Sequence, residues 1–350
     1  MARAPRRWLR RLLGAGLVLA LLAGGAGGWV AYQNSYDLRE ERVVITGGAQ
    51  PLEGVLARPE GGRGPYGLVV FVHGDSEQDA THDTFYRPIW ESLARAGYAS
   101  LSWNKPGVGG APGNWLDQSM EDRAAETAAA IAWAKGRPGV DPERIGLWGA
   151  SQAGWVLPKV ANRVPGVRFV IAVGTAVNWL QQGRYDLLTD LEDEHAPQDR
   201  VDAALARRER VEVQLRKGAT YQQARAALGA DLDGIGADRW GFIQRNFTSD
   251  ATADLSALTV PVLLALGERD RNVDIDDTEA GYRRLLARPG QLTVHRYPGA
   301  THGIAHSWAE DGSLRGLLVA VAAPRSVYAD GYLGDLRRFA ATVAPVPGWH

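Results

Sequence analysis

Gly149-Ala150-Ser151-Gln152-Ala153-Gly154 follows the apolar run Ile145-Gly146-Leu147-Trp148 and leads into a helix-like stretch that ends near Arg163. A serine held between small residues at a strand-to-helix junction reads as a nucleophile elbow. The turn is tight and strained, so the residues two before and two after the serine must be small. Gly149 and Ala153 meet that demand, although glycine is commoner at both places. A motif of this kind stands or falls with its context. The remaining chain must supply a base, an acid and an oxyanion hole in the right order.

A serine hydroxyl is a poor nucleophile at neutral pH and needs a base. The candidate is His302, in Pro298-Gly299-Ala300-Thr301-His302-Gly303, just past a predicted strand. The acid that would orient it is Asp270, in Gly267-Glu268-Arg269-Asp270-Arg271-Asn272-Val273, with Asp274, Asp276 and Asp277 as competitors and Glu268 a weaker one. An oxyanion hole takes two preorganised N–H donors. Gln152, directly after the serine, supplies one. Asp75 or Ser76, in the loop after His73-Gly74, supplies the other. His73 precedes a glycine at a strand end and reads as a residue that shapes this loop.

Around these motifs, predicted strands alternate with predicted helices. Strands are expected at 42–46, 54–58, 68–72, 98–103, 145–148, 167–173, 260–266 and 292–297, and helices at 88–97, 120–135, 152–163, 277–287 and 332–343. Leu68-Val69-Val70-Phe71-Val72 is continuously apolar, as a strand buried on both faces of a parallel sheet should be. The alternation implies an open, mostly parallel α/β sheet flanked by helices. Between about 178 and 254 the pattern turns to charged helices (199–217, 221–228, 239–247). That is too long for a simple connection and reads as a helical cap over the sheet edge where ligands bind.

The order serine, acid, histidine, each after its own strand, is the α/β-hydrolase order. From about residue 42 to 343 the chain resembles the α/β-hydrolase superfamily. Bacterial serine esterases and their dienelactone hydrolase-like and prolyl-oligopeptidase-like relatives are the nearest. The matching pieces are Phe71-Val72-His73-Gly74, the elbow, Gly267 to Val273, and Pro298 to Gly303. The resemblance implies Ser151 as nucleophile, Asp270 as acid and His302 as base. It departs from the usual pattern at Ala153 and in the acidic Asp75-Ser76-Glu77 after His73-Gly74. Serine at the elbow argues against dienelactone hydrolase chemistry proper. The expected activity is cleavage of small-molecule carboxylic esters through an acyl-enzyme, with no metal or organic cofactor. The alternatives are a peptidase or acyltransferase using the same triad, or a non-catalytic binding protein on the same fold.

Composition narrows the classes further. The chain has 350 residues, 45% hydrophobic and 23% charged, with a formal net charge of −1. That gives no electrostatic case for nucleic acid. It contains no cysteine, which excludes disulfides, thiolate metal sites and a cysteine nucleophile. His302, His306 and Glu310 are spaced four apart, yet the chain has no H-E-x-x-H pattern and His302 is taken as the base, so no metal site is expected. Gly107-Val108-Gly109-Gly110 follows a strand without completing a dinucleotide fingerprint.

Residues 1–34 read as a unit apart from the hydrolase domain at 35–350. Arg3, Arg6, Arg7, Arg10 and Arg11 precede an uncharged run from Leu12 to Tyr32. At 1.5 Å per residue this run spans about 30 Å, enough for a bilayer core. The arginines favour a cytoplasmic N-terminus and an exported catalytic domain held by a single-pass signal anchor. The competing reading is a cleaved signal peptide and a secreted or periplasmic protein, with Gly24-Gly25-Ala26 as a cleavage site and Arg6-Arg7-Trp8-Leu9 resembling a twin-arginine signal.

Overall fold

The computed structural model describes residues 24–62, 64–310 and 312–349. Eight strands form one sheet: β1 Leu38–Ile45, β2 Leu52–Pro59, β3 Tyr66–Val72, β4 Tyr98–Trp103, β5 Val140–Ala150, β6 Val167–Val173, β7 Val262–Gly267 and β8 Leu292–Tyr297. Their spatial order is β1-β2-β4-β3-β5-β6-β7-β8. β1 with β2 and β2 with β4 pair antiparallel, and every later pair is parallel. Parallel neighbours need crossovers, and helices supply them.

Side-chain alternation along the strands divides the interior into two layers. Leu68, Val70 and Val72 face a core shared with Ile131 and Ala134 of the helix Met120–Lys135 and with Leu157 and Val160 of the helix Leu157–Arg163. Val69 and Phe71 face the other, with Ile89, Trp90 and Leu93 of the helix Tyr86–Ala94 and Leu336 and Phe339 of the helix Tyr332–Val343. The helix Met120–Lys135 starts on a capping box between Ser119 and Asp122, which satisfies its first orphan N–H groups.

Register fixes the functional edge. Ala150 at the end of β5 pairs with Val173, and Val173 pairs with Ala265. Gly267 at the end of β7 pairs with Tyr297. The segments that follow β5, β6, β7 and β8 therefore emerge side by side at one carboxyl edge, where open α/β sheets place their ligands.

Between β6 and β7 the chain leaves the sheet for the helices Trp179–Asp193, Gln198–Arg216, Tyr221–Leu228, Ala237–Asn246 and Thr252–Ala257. The two ends of this excursion are tied together. Asn178 bridges Asp250, Trp179 N–H donates to the Ser249 carbonyl (3.0 Å), and Ala251 N–H donates to the Val177 carbonyl (2.9 Å). The inserted helices have their own small core of Leu215, Ala224, Leu232, Trp240 and Phe247.

Two local readings are corrected. The predicted helix 152–163 is a 3-10 turn, Ser151–Trp155, followed by the separate helix Leu157–Arg163. Pro158 has no N–H to offer the carbonyl four residues back, so one α-helix cannot run through it. The helices Trp179–Asp193 and Leu314–Ala322 were not expected. Most of the expected membrane run lies outside the described residues. Its continuation at 24–33 is helical and largely exposed. No helix among the described residues is long and apolar enough to cross a membrane.

Candidate active site

Ser151 follows directly on β5 with φ of +54°, a left-handed conformation that a non-glycine residue adopts only when its surroundings hold it there. Those surroundings are close-packed. A Cβ on Gly149 would lie 2.6 Å from the Ala153 Cβ and 2.9 Å from the Val72 carbonyl oxygen. Ala153 is fully buried. Alanine is accommodated at 153 because 149 is glycine.

Asp270 and His302 meet. His302 Nδ1 lies 2.8 Å from Asp270 Oδ2, and the Asp270 side chain is 0% exposed. The other carboxylate oxygen accepts the backbone N–H groups of Asn272 and Val273, both at 2.9 Å. Two of the competing acids have other partners. Asp274 caps the helix Ile275–Leu285 through the N–H groups of Asp276 and Asp277, and Asp276 pairs with Arg296. His302 also packs on the end of β6: a Cβ on Gly174 would sit 2.7 Å from the His302 carbonyl oxygen and 3.1 Å from Nδ1. Gly174 follows Val173, whose partner Ala150 precedes Ser151. The imidazole therefore stands over the strand between those that end in Ser151 and in the Asp270 turn.

Buried cations hold the loop after β3. Arg123 donates to the Gln152 side-chain oxygen (2.6 Å) and to the His73 carbonyl. Lys105 donates to the carbonyls of Gly74 (2.6 Å) and Ser76 (2.7 Å) and lies 4.1 Å over the Trp115 ring. Burial pushes the Lys105 ammonium well below its ordinary range, and Arg123 adds to the effect. Three carbonyls of the loop, those of His73, Gly74 and Ser76, are thus turned towards cations. Neither cation was singled out from the sequence. The available signal was Arg123 falling on the same helix face as Thr127, Ala130, Ile131 and Ala134, all of them buried.

His73 is a structural residue, as expected. Its Nε2 donates to the Trp103 carbonyl (2.6 Å), so Nδ1 accepts from the Tyr86 hydroxyl (3.0 Å). Burial pushes the imidazole down to about 3, with repulsion from Lys105 next in size among the lowering effects.

A cleft of about 490 Å³ opens above the edge, lined by Ser151, Gln152, Asp75, Trp155, Trp179 and residues of the inserted helices. Of the two expected donors, Asp75 lines this cleft with Ser151 and Ser76 does not. Arg239 of the helix Ala237–Asn246 grips the Asp75 carboxylate with both guanidinium nitrogens, Nη1 at 2.9 Å. Burial raises the Asp186 carboxyl on the opposite wall, and neighbouring Asp190 adds to this. A second, apolar cavity of about 210 Å³ lies behind the elbow, lined by Gly74, Ala150, Trp148, Tyr86, Ile89 and Val327 among others. Trp155, Trp179 and Trp148 are the tryptophans that reach these spaces. Trp103 and Trp115 are buried beneath the loops. Among the described residues no three His, Asp or Glu side chains converge as metal ligands would.

The fold and this edge are those of the α/β-hydrolase superfamily. Residues 63–307 match the family described as serine aminopeptidase, S33, and the chain belongs to that family. Among solved structures it is similar to a hyperthermophilic esterase from Pyrobaculum calidifontis, with 17% identity, a TM-score of 0.51, and coverage of 97% of this chain and 99% of the esterase. It is also similar to a Klebsiella pneumoniae protein provisionally assigned as a dienelactone hydrolase (15%, 0.52, 87% and 98%). An acylaminoacyl peptidase from Pyrococcus horikoshii matches at 14% identity and a TM-score of 0.52, over 89% of this chain and 42% of the peptidase. Two Mycobacterium tuberculosis proteins carrying a provisional phosphoribosyl transferase name are 31% identical over 156 residues, 44% of this chain. The chain spans about a third of the length of these curated relatives (32%).

Two outcomes follow from this geometry. Gly174→Ala should leave the chain folded while displacing the His302 loop, and, with His302 proposed as the base, kcat for ester cleavage should fall about tenfold or more, because small misplacements near a reacting centre are costly. Unchanged kcat with an unchanged circular dichroism spectrum would contradict it. For His73, the folded state stays neutral where the unfolded chain binds a proton, between about pH 6.5 and the folded value near 3. The stabilisation is present above that window and lost as pH falls through it. In urea titrations between pH 6 and 4, His73→Gln should make the fall in unfolding free energy shallower by up to about 1.4 kcal/mol per pH unit.

Proposed function

We propose that this protein is a serine hydrolase that cleaves carboxylic esters, with Ser151 as nucleophile, His302 as base and Asp270 as acid. The observation that carries the reading is the 2.8 Å contact between His302 and a fully buried Asp270, on the strand ends beside a strained Ser151. In this reading His302 takes the Ser151 proton as the hydroxyl attacks the ester carbonyl, then protonates the departing alkoxide. Asp270 fixes the tautomer with Nδ1 protonated and stabilises the imidazolium. The backbone N–H groups of Gln152 and Asp75 receive the oxyanion. Water then repeats the sequence on the acyl-enzyme with His302 as base.

The cleft under the inserted helices and the apolar cavity behind the elbow support a substrate with an apolar part, since small-molecule sites are mostly apolar with a few placed polar groups. The inserted helices act as the cap, at about 178–254. The N-terminal run anchors the protein by a single span, with the catalytic domain outside the cell membrane. The arginines before residue 12 and the uncharged run to Tyr32 support this.

The family's description favours a second reading, in which the same residues cleave a peptide bond next to a free amino terminus. The two readings separate in one assay series. A fluorophosphonate should label wild type and not Ser151→Ala. Nitrophenyl esters should turn over with a chain-length optimum that Ser151→Ala lowers by ~10³-fold or more. Labelling with aminoacyl nitroanilide turnover and no ester turnover would establish the peptidase. Wild-type ester turnover by Ser151→Ala would remove Ser151 from the mechanism.

A further inference from the structure

Among the described residues, four of the nine large apolar side chains left exposed lie on one helix. Leu314, Leu317, Leu318 and Val321 of the helix Leu314–Ala322 are 72%, 62%, 58% and 59% exposed. Their spacing of three, one and three residues puts them on a single stripe. Gly316 faces the protein, and Arg315 flanks the stripe with its guanidinium over the Trp308 ring. Soluble proteins rarely expose a contiguous patch of this kind unless something covers it.

The patch has a fixed neighbour. The C-terminal end of the helix is tied to the base of the N-terminal run: Asn34 Nδ2 donates to the Val321 carbonyl (2.8 Å) and to the Val30 carbonyl (2.9 Å). Arg325 holds the same segment through the carbonyls of Gln33 and Ser35, both at 2.7 Å, while pairing with buried Glu91. Just before these contacts, Trp29 and Tyr32 stand exposed with ring centroids 6.3 Å apart. Tryptophan and tyrosine favour the boundary between lipid headgroups and acyl chains. The uncharged run that ends at Tyr32 thus leaves the folded domain beside the apolar stripe.

We infer that the Leu314–Ala322 helix is a lipid-docking surface, lying in the outer interface of the bilayer that the N-terminal run enters. The inference rests on the anchor reading above. In such a seat the four apolar side chains enter the acyl boundary while Arg315 extends to the headgroups. With the anchor it makes a second attachment, which restricts how the catalytic domain turns on its tether.

The absence of native cysteine gives a clean probe. The full chain carrying Leu318→Cys, labelled with the fluorophore NBD, would be reconstituted in vesicles of phosphatidylethanolamine and phosphatidylglycerol. Glu209→Cys, on the exposed side of an inserted helix, serves as the aqueous control. At position 318 the emission should shift to the blue and be largely lost when the lipids carry doxyl groups, while the control changes in neither respect. Carbonate extraction of the same vesicles reads the anchor separately. Carbonate-resistant protein with an aqueous spectrum at 318 overturns the docking helix and keeps the anchor. Release by carbonate with lipid quenching retained at 318 keeps the helix and overturns the anchor. A blue-shifted label that lipid quenchers do not reach means that a second copy or the N-terminal run covers the stripe, and overturns the inference.

Discussion

A carboxylate fully removed from water needs partners, and the functional edge is arranged around that requirement. Asp270 has no exposed side-chain surface and is compensated by two backbone N–H groups of its own turn and by His302. The turn must therefore keep its shape, and the histidine must keep its ring orientation. Gly267, just before the turn, leaves room for the second loop: a Cβ there would lie 2.1 Å from the Thr301 carbonyl oxygen. Gly174 does the same from β6. One buried charge thus sets the packing of two strand ends and the loop carrying the imidazole. Removing the carboxylate would leave two amide donors and a ring nitrogen without their acceptor.

The loop after β3 is built on the opposite charge. Lys105 and Arg123 are buried cations whose acceptors are mostly main-chain carbonyls of residues 73, 74 and 76. Neutral His73 belongs beside them, since a proton there would add a third positive charge. The inserted helices reach both halves. Arg239 grips Asp75 on the loop after β3, while on the turn after β7 Gln182 donates to the Asn272 carbonyl (3.0 Å) and Thr189 to the Arg271 carbonyl (2.6 Å). The inserted helices thus tie the turn after β7 to the loop after β3.

Reading the sequence recovered the parts of this arrangement that are local. Apolar runs located the strands, small residues located the elbow, and the order of three motifs after three strands located the edge. Choosing Asp270 over Asp274, Asp276 and Asp277 rested on its place at the end of the 260–266 strand, and its carboxylate lies 2.8 Å from His302 Nδ1. Arg123 and Lys105 were missed because their partners lie 29 to 50 residues away, beyond the reach of any local pattern. The helix Trp179–Asp193 was missed for a related reason. Gly183 and Arg184 interrupt the apolar spacing between Leu180 and Leu187, and among its described residues only Thr189 and Leu191 are buried. The Leu314–Ala322 helix shows the converse: an apolar stripe was present, and it faces outward.

Three of the seven described non-glycine residues with positive φ lie in this region. Ser76, Ser151 and Ile304 have φ between +54° and +75°, in the loop after β3, in the turn after β5 and two residues past His302. Such conformations cost of order 1–3 kcal/mol each and persist only where neighbours over-determine them. For Ile304, a β-branched residue, the neighbours are identifiable. Its side chain is fully buried, its N–H donates to the Thr301 carbonyl, and its carbonyl accepts the Ala329 N–H. Ala305 bridges Tyr328 in the same stretch. The segment 327–329 therefore closes the His302 loop from behind, and it leads back through Arg325 to the base of the N-terminal run. A continuous path of covalent and hydrogen-bonded connections thus runs from residues 33–35 to the loop that carries His302.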